Sequence, residues 1–169
     1  MIDRAVGCLR SVVVRMKPIL ILGLGNPLQG DDGIGCRVAE EMVGASVTTT
    51  WSNEVEVMDG GTPGVGLLNF FEGRARVIIV DAAEMGIAPG EFRRFAPQEV
   101  TLTGARARFS LHRSGVADAL ALAHELKIKL PEIIFFGVQP ASVEWRDSLS
   151  QPVQAALPRV IEAILNELK

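Results

Sequence analysis

The stretch Pro18-Ile19-Leu20-Ile21-Leu22-Gly23-Leu24-Gly25-Asn26-Pro27-Leu28-Gln29-Gly30-Asp31-Asp32-Gly33-Ile34-Gly35 decides how this chain folds. Its first seven residues form an almost unbroken apolar run, the pattern of a strand covered on both faces. After the glycine-rich turn, Ile34, Val38 and Met42 recur every fourth residue, which predicts a helix over 33–44. A buried strand, a tight turn and an amphipathic helix together open a βαβ unit.

The same alternation continues. Residues 55–58 read as a second short strand that closes in Asp59-Gly60-Gly61, and 63–71 as a short helix stopped by Gly73. A third buried strand, 76–80, ends at Asp81. Pro89-Gly90 marks a turn and 91–95 an edge strand, whereas 101–108 has no clear period. A helix over 114–126, a buried strand over 132–138 and a closing helix over 154–168 complete the chain. Such alternation predicts an α/β fold, with a mainly parallel sheet and helices on both faces. Ligands of such sheets sit beyond the carboxyl ends of the strands. The polar residues expected there are Asn26, Asp31, Asp32, Asp59, Asp81 and Gln139, so carboxylates dominate the rim.

Composition narrows the function. The chain has 169 residues, of which 48% are hydrophobic and 22% charged, enough for one globular domain with a real core. A net charge of −3 argues against nucleic acid as a partner, because that binding draws on clustered Lys and Arg. The arginine pairs Arg74/Arg76, Arg93/Arg94 and Arg106/Arg108 read as solvated surface. Two cysteines, Cys8 and Cys36, match no metal or redox spacing, and a reducing cytoplasmic setting is expected. No apolar run reaches the ~18 residues of a membrane span, so no membrane insertion is expected. Residues 1–16 read as a disordered arm or alternative-start segment ahead of a single domain over 17–169. Arg15 and Lys17 interrupt its apolar stretch before any cleavage site of a leader.

The loop after the first strand invites two nucleotide readings, and both fail. A dinucleotide fingerprint beginning at Gly23-x-Gly25 needs a small residue where Leu28 stands. Gly25 and Gly30 have phosphate-loop spacing, but Asp31 and Asp32 occupy the positions of Lys and Ser/Thr and would repel phosphate. One aspartate suffices to cap the following helix. The second is surplus in a crevice shared with Asp81, where crowded carboxylates need a proton or a cation between them. Asp59-Gly60-Gly61 is either a turn in which Asp59 bonds its own backbone or a place where a peptide approaches closely.

Two histidines are present. His124 lies within the predicted helix and reads as a helix-face residue; His112 precedes that helix and gains meaning only beside the rim acids. Two carboxylates and an imidazole make an oxygen–nitrogen donor set that suits nickel or zinc. Cys36 reads as packing, since neighbouring carboxylates raise a thiol pKa and disfavour the thiolate.

Taken in order, Gly23-Leu-Gly25-Asn26-Pro-Leu-Gln-Gly-Asp31-Asp32-Gly33-Ile-Gly35, Asp59-Gly60-Gly61-Thr62, Val80-Asp81-Ala82, His112 and Gly137-Val138-Gln139-Pro140 resemble the hydrogenase maturation proteases. The resemblance runs from about residue 19 to 165. It implies a three-layer α/β/α sandwich and an endopeptidase that trims the carboxyl-terminal extension from the nickel-loaded precursor of a nickel–iron hydrogenase large subunit. It also implies Asp32, Asp81 and His112 as catalytic and metal-contacting residues, with Asn26, Asp31, Asp59, Gly60 and Gly61 around the substrate. No permanent cofactor is expected: the nickel belongs to the precursor and binds transiently, and zinc or cadmium could substitute. The alternative is a non-catalytic metal-sensing chaperone of the same precursor. Asp31 is expected as a cap or supporting residue. The chain departs from the family at Leu111, where some relatives have proline.

Overall fold

The computed structural model describes residues 16–44, 53–99 and 115–169. They run β1 (Ile19–Leu24), α1 (Ile34–Gly44), β2 (Val55–Gly61), α2 (Leu68–Phe71), β3 (Arg76–Ala82), β4 (Phe92–Phe95), α3 (Val116–Glu125), β5 (Glu132–Val138) and α4 (Gln151–Asn166). The five strands form one sheet in the order β2-β1-β3-β5-β4. All neighbours are parallel except the edge strand β4, which pairs antiparallel to β5.

Alternating residues of each strand feed two separate cores. Leu20, Leu22, Leu24, Val77, Ile79, Ile133 and Phe135 pack with Leu67, Phe71, Val116, Ala119 and Leu120, so α2 and α3 cover one face. Ile21, Ile78, Val80, Ile134 and Phe136 pack with Ile34, Val38, Met42, Val153, Leu157, Val160 and Ile164, so α1 and α4 cover the other. That is the expected α/β/α sandwich, and double coverage explains why β1, β3 and β5 are nearly continuous apolar runs.

The differences from expectation lie at element ends. β2 and β3 run past their predicted stops to Gly61 and Ala82, carrying Asp59 and Asp81 into the strands. The predicted helix over 63–71 is a 3-10 turn (Gly64–Leu67) followed by one α-helical turn. α4 begins three residues early, because Pro152 falls in its first turn, where a missing N–H costs nothing.

Topology fixes where a ligand belongs. The chain leaves β1 towards β2, then returns across β1 to β3, so strand order reverses between β1 and β3. The carboxyl ends of these two neighbours flank the switch point, the usual place for a crevice in an open α/β sheet. Asp32 follows one of them and Asp81 ends the other.

Candidate active site

The glycines of the β1 loop are needed for close backbone packing. A Cβ on Gly23 would collide with the Gly35 carbonyl, and one on Gly35 with the carbonyls of Leu24 and Val80. One on Gly33 would come 2.7 Å from Pro27 Cα. Gly25 has φ +122° and its Cβ would overlap the Asp32 carbonyl. The loop therefore folds onto itself, seating the start of α1 directly over the ends of β1 and β3.

A 3-10 turn, Gly30–Gly33, carries both aspartates, and both are buried. Their environments differ. Asp31 is fully buried, and its Oδ2 accepts the N–H groups of Ala141 (2.7 Å) and Ser142 (3.1 Å) and the Ser150 hydroxyl (2.8 Å). Its Oδ1 accepts the Ser150 N–H at 2.6 Å. The carboxylate thus ties the β5–α4 loop to the β1 loop. Asp31 makes no side-chain helix cap, and all four of its hydrogen bonds run to the β5–α4 loop. Ser150 occupies the N-cap position of α4 without making a side-chain cap, since its hydroxyl serves Asp31 instead.

Asp32 is only 3% exposed and has a different kind of contact. Its Oδ2 accepts the Asn26 N–H at 2.9 Å, and among the described residues no donor is bonded to Oδ1. Asn26 is half-buried and structural in its contacts: its Oδ1 accepts the Leu28 N–H at 3.0 Å, closing the turn that aims Asp32. Asp81, 4% exposed, stands opposite Gly137 in the β3–β5 register, near the carboxyl edge.

Asp59 is exposed at the end of β2 and its Oδ1 accepts the Gly61 N–H at 2.9 Å, the self-bonded turn that its spacing allowed. A Cβ on Gly60 would press on Leu22 and Leu24, whereas Gly61, at φ +56°, faces open space. Cys36 is fully buried, its thiol donating to the Gly25 carbonyl at 3.3 Å. Burial pushes its pKa up to about 12, and the negative charges of Asp59 and Asp81 add to the rise. The thiol is therefore a packing group.

His112 lies outside the described residues. The chain is next described at Gly115, whose Cα side meets Gly64 so closely that a Cβ would fall 2.6 Å from Gly64 Cα. That contact holds the start of α3 beside the turn following Gly61, at the carboxyl edge of the sheet. Among the described residues no three His, Cys, Asp or Glu side chains converge into a metal-holding group. His124 sits in the last turn of α3.

Gln139 completes the rim. It is 4% exposed; its Oε1 accepts the Met85 N–H at 2.7 Å and its Nε2 donates to Glu84 Oε1 at 2.8 Å, fixing the segment after β3. Sequence spacing gave no sign of the Asp31–Ser150 tie, which joins residues 119 apart. No helix of the described residues is long and apolar enough to cross a membrane.

The same fold recurs among known proteins. The family model HycI, hydrogenase maturation protease, matches residues 36–167. The hydrogenase expression/formation protein HupD of Rhizobium leguminosarum bv. viciae is 34% identical over 153 residues, covering 89% of this chain and 74% of that protein. The hydrogenase maturating endopeptidase HybD from E. coli superposes with a TM-score of 0.73 at 31% identity, covering 90% of this chain and 92% of that one. The [NiFe] hydrogenase maturation protease HybD from Thermococcus kodakarensis gives a TM-score of 0.70 at 28% identity, covering 91% of this chain and 100% of that one. By the family-model match and the identity to HupD, the chain belongs to the hydrogenase maturation protease family.

Proposed function

We propose that this endopeptidase removes the carboxyl-terminal extension of a nickel–iron hydrogenase large-subunit precursor, and that nickel already seated in the precursor is its recognition signal. The observation that carries the reading is the pair Asp32 and Asp81, almost wholly buried at the carboxyl ends of neighbouring strands at the topological switch point. His112, three residues before Gly115 in sequence, supplies the third donor. Oxygen and nitrogen donors of this kind suit a divalent nickel and leave positions for the precursor's own ligands; zinc or cadmium would bind the same set.

Within this scheme the chain's residues have distinct tasks. Asn26 N–H holds Asp32 Oδ2, so Oδ1 is the oxygen directed to the incoming metal. Asp59-Gly60-Gly61 offers a turn with open space at Gly61, where the peptide to be cut can approach the backbone. Attack by water on the scissile carbonyl is assisted by an aspartate acting as general base or by the substrate's metal polarising the carbonyl.

The test is incubation of the purified precursor, with and without nickel, followed by mass spectrometry. Loss of the extension only from the nickel-loaded form is expected, together with at least a hundredfold slower cleavage by Asp32→Asn, Asp81→Asn and His112→Ala. Equal cleavage of nickel-free precursor refutes metal recognition. A stable complex with no mass loss would instead make the chain a metal-sensing chaperone.

A further inference from the structure

The β1 loop and the β5–α4 loop are joined as a small parallel bridge. Gln29 pairs with Arg146, Arg146 N–H donates to the Leu28 carbonyl at 3.0 Å, and Gly30 N–H donates to the Arg146 carbonyl at 2.8 Å. These bonds bring the backbone of Leu28 beside that of the Trp145–Arg146 segment. Both are exposed, Leu28 by 54% and Trp145 by 77%. Trp145 is the most exposed large hydrophobic residue among those described.

This exposure belongs to a braced segment. The two loops are tied from below by the four hydrogen bonds to Asp31, and Arg37 Nη2 on α1 holds the Asp147 carbonyl at 3.1 Å. Tryptophan offers a large contact area with few rotatable bonds, and it is enriched among the residues that dominate interfaces.

We propose that Leu28 and Trp145 form a docking platform for an apolar patch on the folded body of the protein substrate. The proposal rests on the function proposed above, and names a contact outside the cutting site. Two features favour the substrate over a second copy of this chain. The platform is continuous with the site: Leu28 lies four residues before Asp32 on the same loop, and Asp31, which braces the platform, is the covalent neighbour of Asp32. An exposed tryptophan with one leucine also covers far less than the ~800 Å² per partner of a stable dimer. It suits a transient partner held at a second point nearby.

The experiment combines steady-state cleavage of the nickel-loaded precursor with tryptophan emission. The chain has two tryptophans, so a Trp51→Phe background leaves Trp145 as sole reporter on the protease. With a precursor whose tryptophans are replaced by the essentially non-fluorescent 4-fluorotryptophan, the reporter's own emission is expected to shift to shorter wavelength on mixing. Trp145→Ala and Leu28→Ala are each expected to raise KM about tenfold or more while kcat changes less than twofold, with Trp145→Phe intermediate. An unchanged KM in the double variant, while the parent protein cleaves normally, overturns the platform. A shift that depends on protease concentration without precursor assigns the face to self-association and also overturns it. If the parent fails to cleave, the function proposed above falls, and the emission shift alone still decides docking.

Discussion

Asp31→Ala should be among the most destabilising single changes in the β1 loop. The carboxylate is fully buried and receives four hydrogen bonds, from Ala141, Ser142 and, twice, Ser150. Bonds to a charged acceptor each contribute about 1.5–3 kcal/mol, but bonds sharing one carboxylate do not add. Removing the acceptor also strands three backbone N–H groups below the surface. The expected loss is therefore about 4 kcal/mol, within the range for breaking a buried charged network. Asp31→Asn keeps one oxygen; placed at the Oδ2 position it retains three of the four bonds but turns its amide donor towards the Ser150 N–H. Its expected loss is about 2 kcal/mol. Urea unfolding followed by circular dichroism measures both. With a slope of about 2 kcal/mol/M, the midpoint falls by about 2 M for alanine and about 1 M for asparagine. A cycle with Ser150→Ala should show coupling of about 1 kcal/mol. A loss below about 1 kcal/mol for Asp31→Ala would refute the role assigned to this residue.

Two further outcomes follow from the same loop. Gly25→Ala forces a side chain into a left-handed backbone and onto the Asp32 carbonyl. It should cost about 3 kcal/mol or more in chemical denaturation and slow cleavage by displacing Asp32. The raised pKa of Cys36 makes stability fall with alkalinity: the unfolded thiol loses its proton near pH 9, while the folded one keeps it up to about 12. Between those values the unfolded state binds fewer protons, so stability should decline by up to about 1.4 kcal/mol per pH unit. Denaturant titrations at pH 8.5 and 10.5 should show that slope in the parent protein and lose most of it in Cys36→Ala.

Much of the architecture was legible because it is written in short-range pattern. The buried runs of β1, β3 and β5 and the fourfold spacing of Ile34, Val38 and Met42 each lie within a dozen residues. α4 starts three residues before its expected position, with Pro152 in its first turn, where the missing N–H is tolerated. The rim carboxylates were visible at strand ends, but their division of labour was not. Nothing near Asp31 in sequence says that its partners lie 110–119 residues away, or that Ser150 gives up capping for it. Asp32, by contrast, is aimed by Asn26, only six residues before it.

The self-packed glycines also set a limit on what the β1 loop could become. Replacing Asp31 and Asp32 by Lys and Ser would restore the letters of a phosphate loop and the favourable charge. It would not create a nucleotide site, because a cradle needs an empty concavity lined by backbone N–H groups. Here the main chain is drawn into close contact with itself, Gly23 with Gly35, Gly25 with Asp32 and Gly33 with Pro27. Two loops with near-identical glycine spacing can thus be mutually inaccessible by side-chain exchange, since what separates them is the path of the main chain.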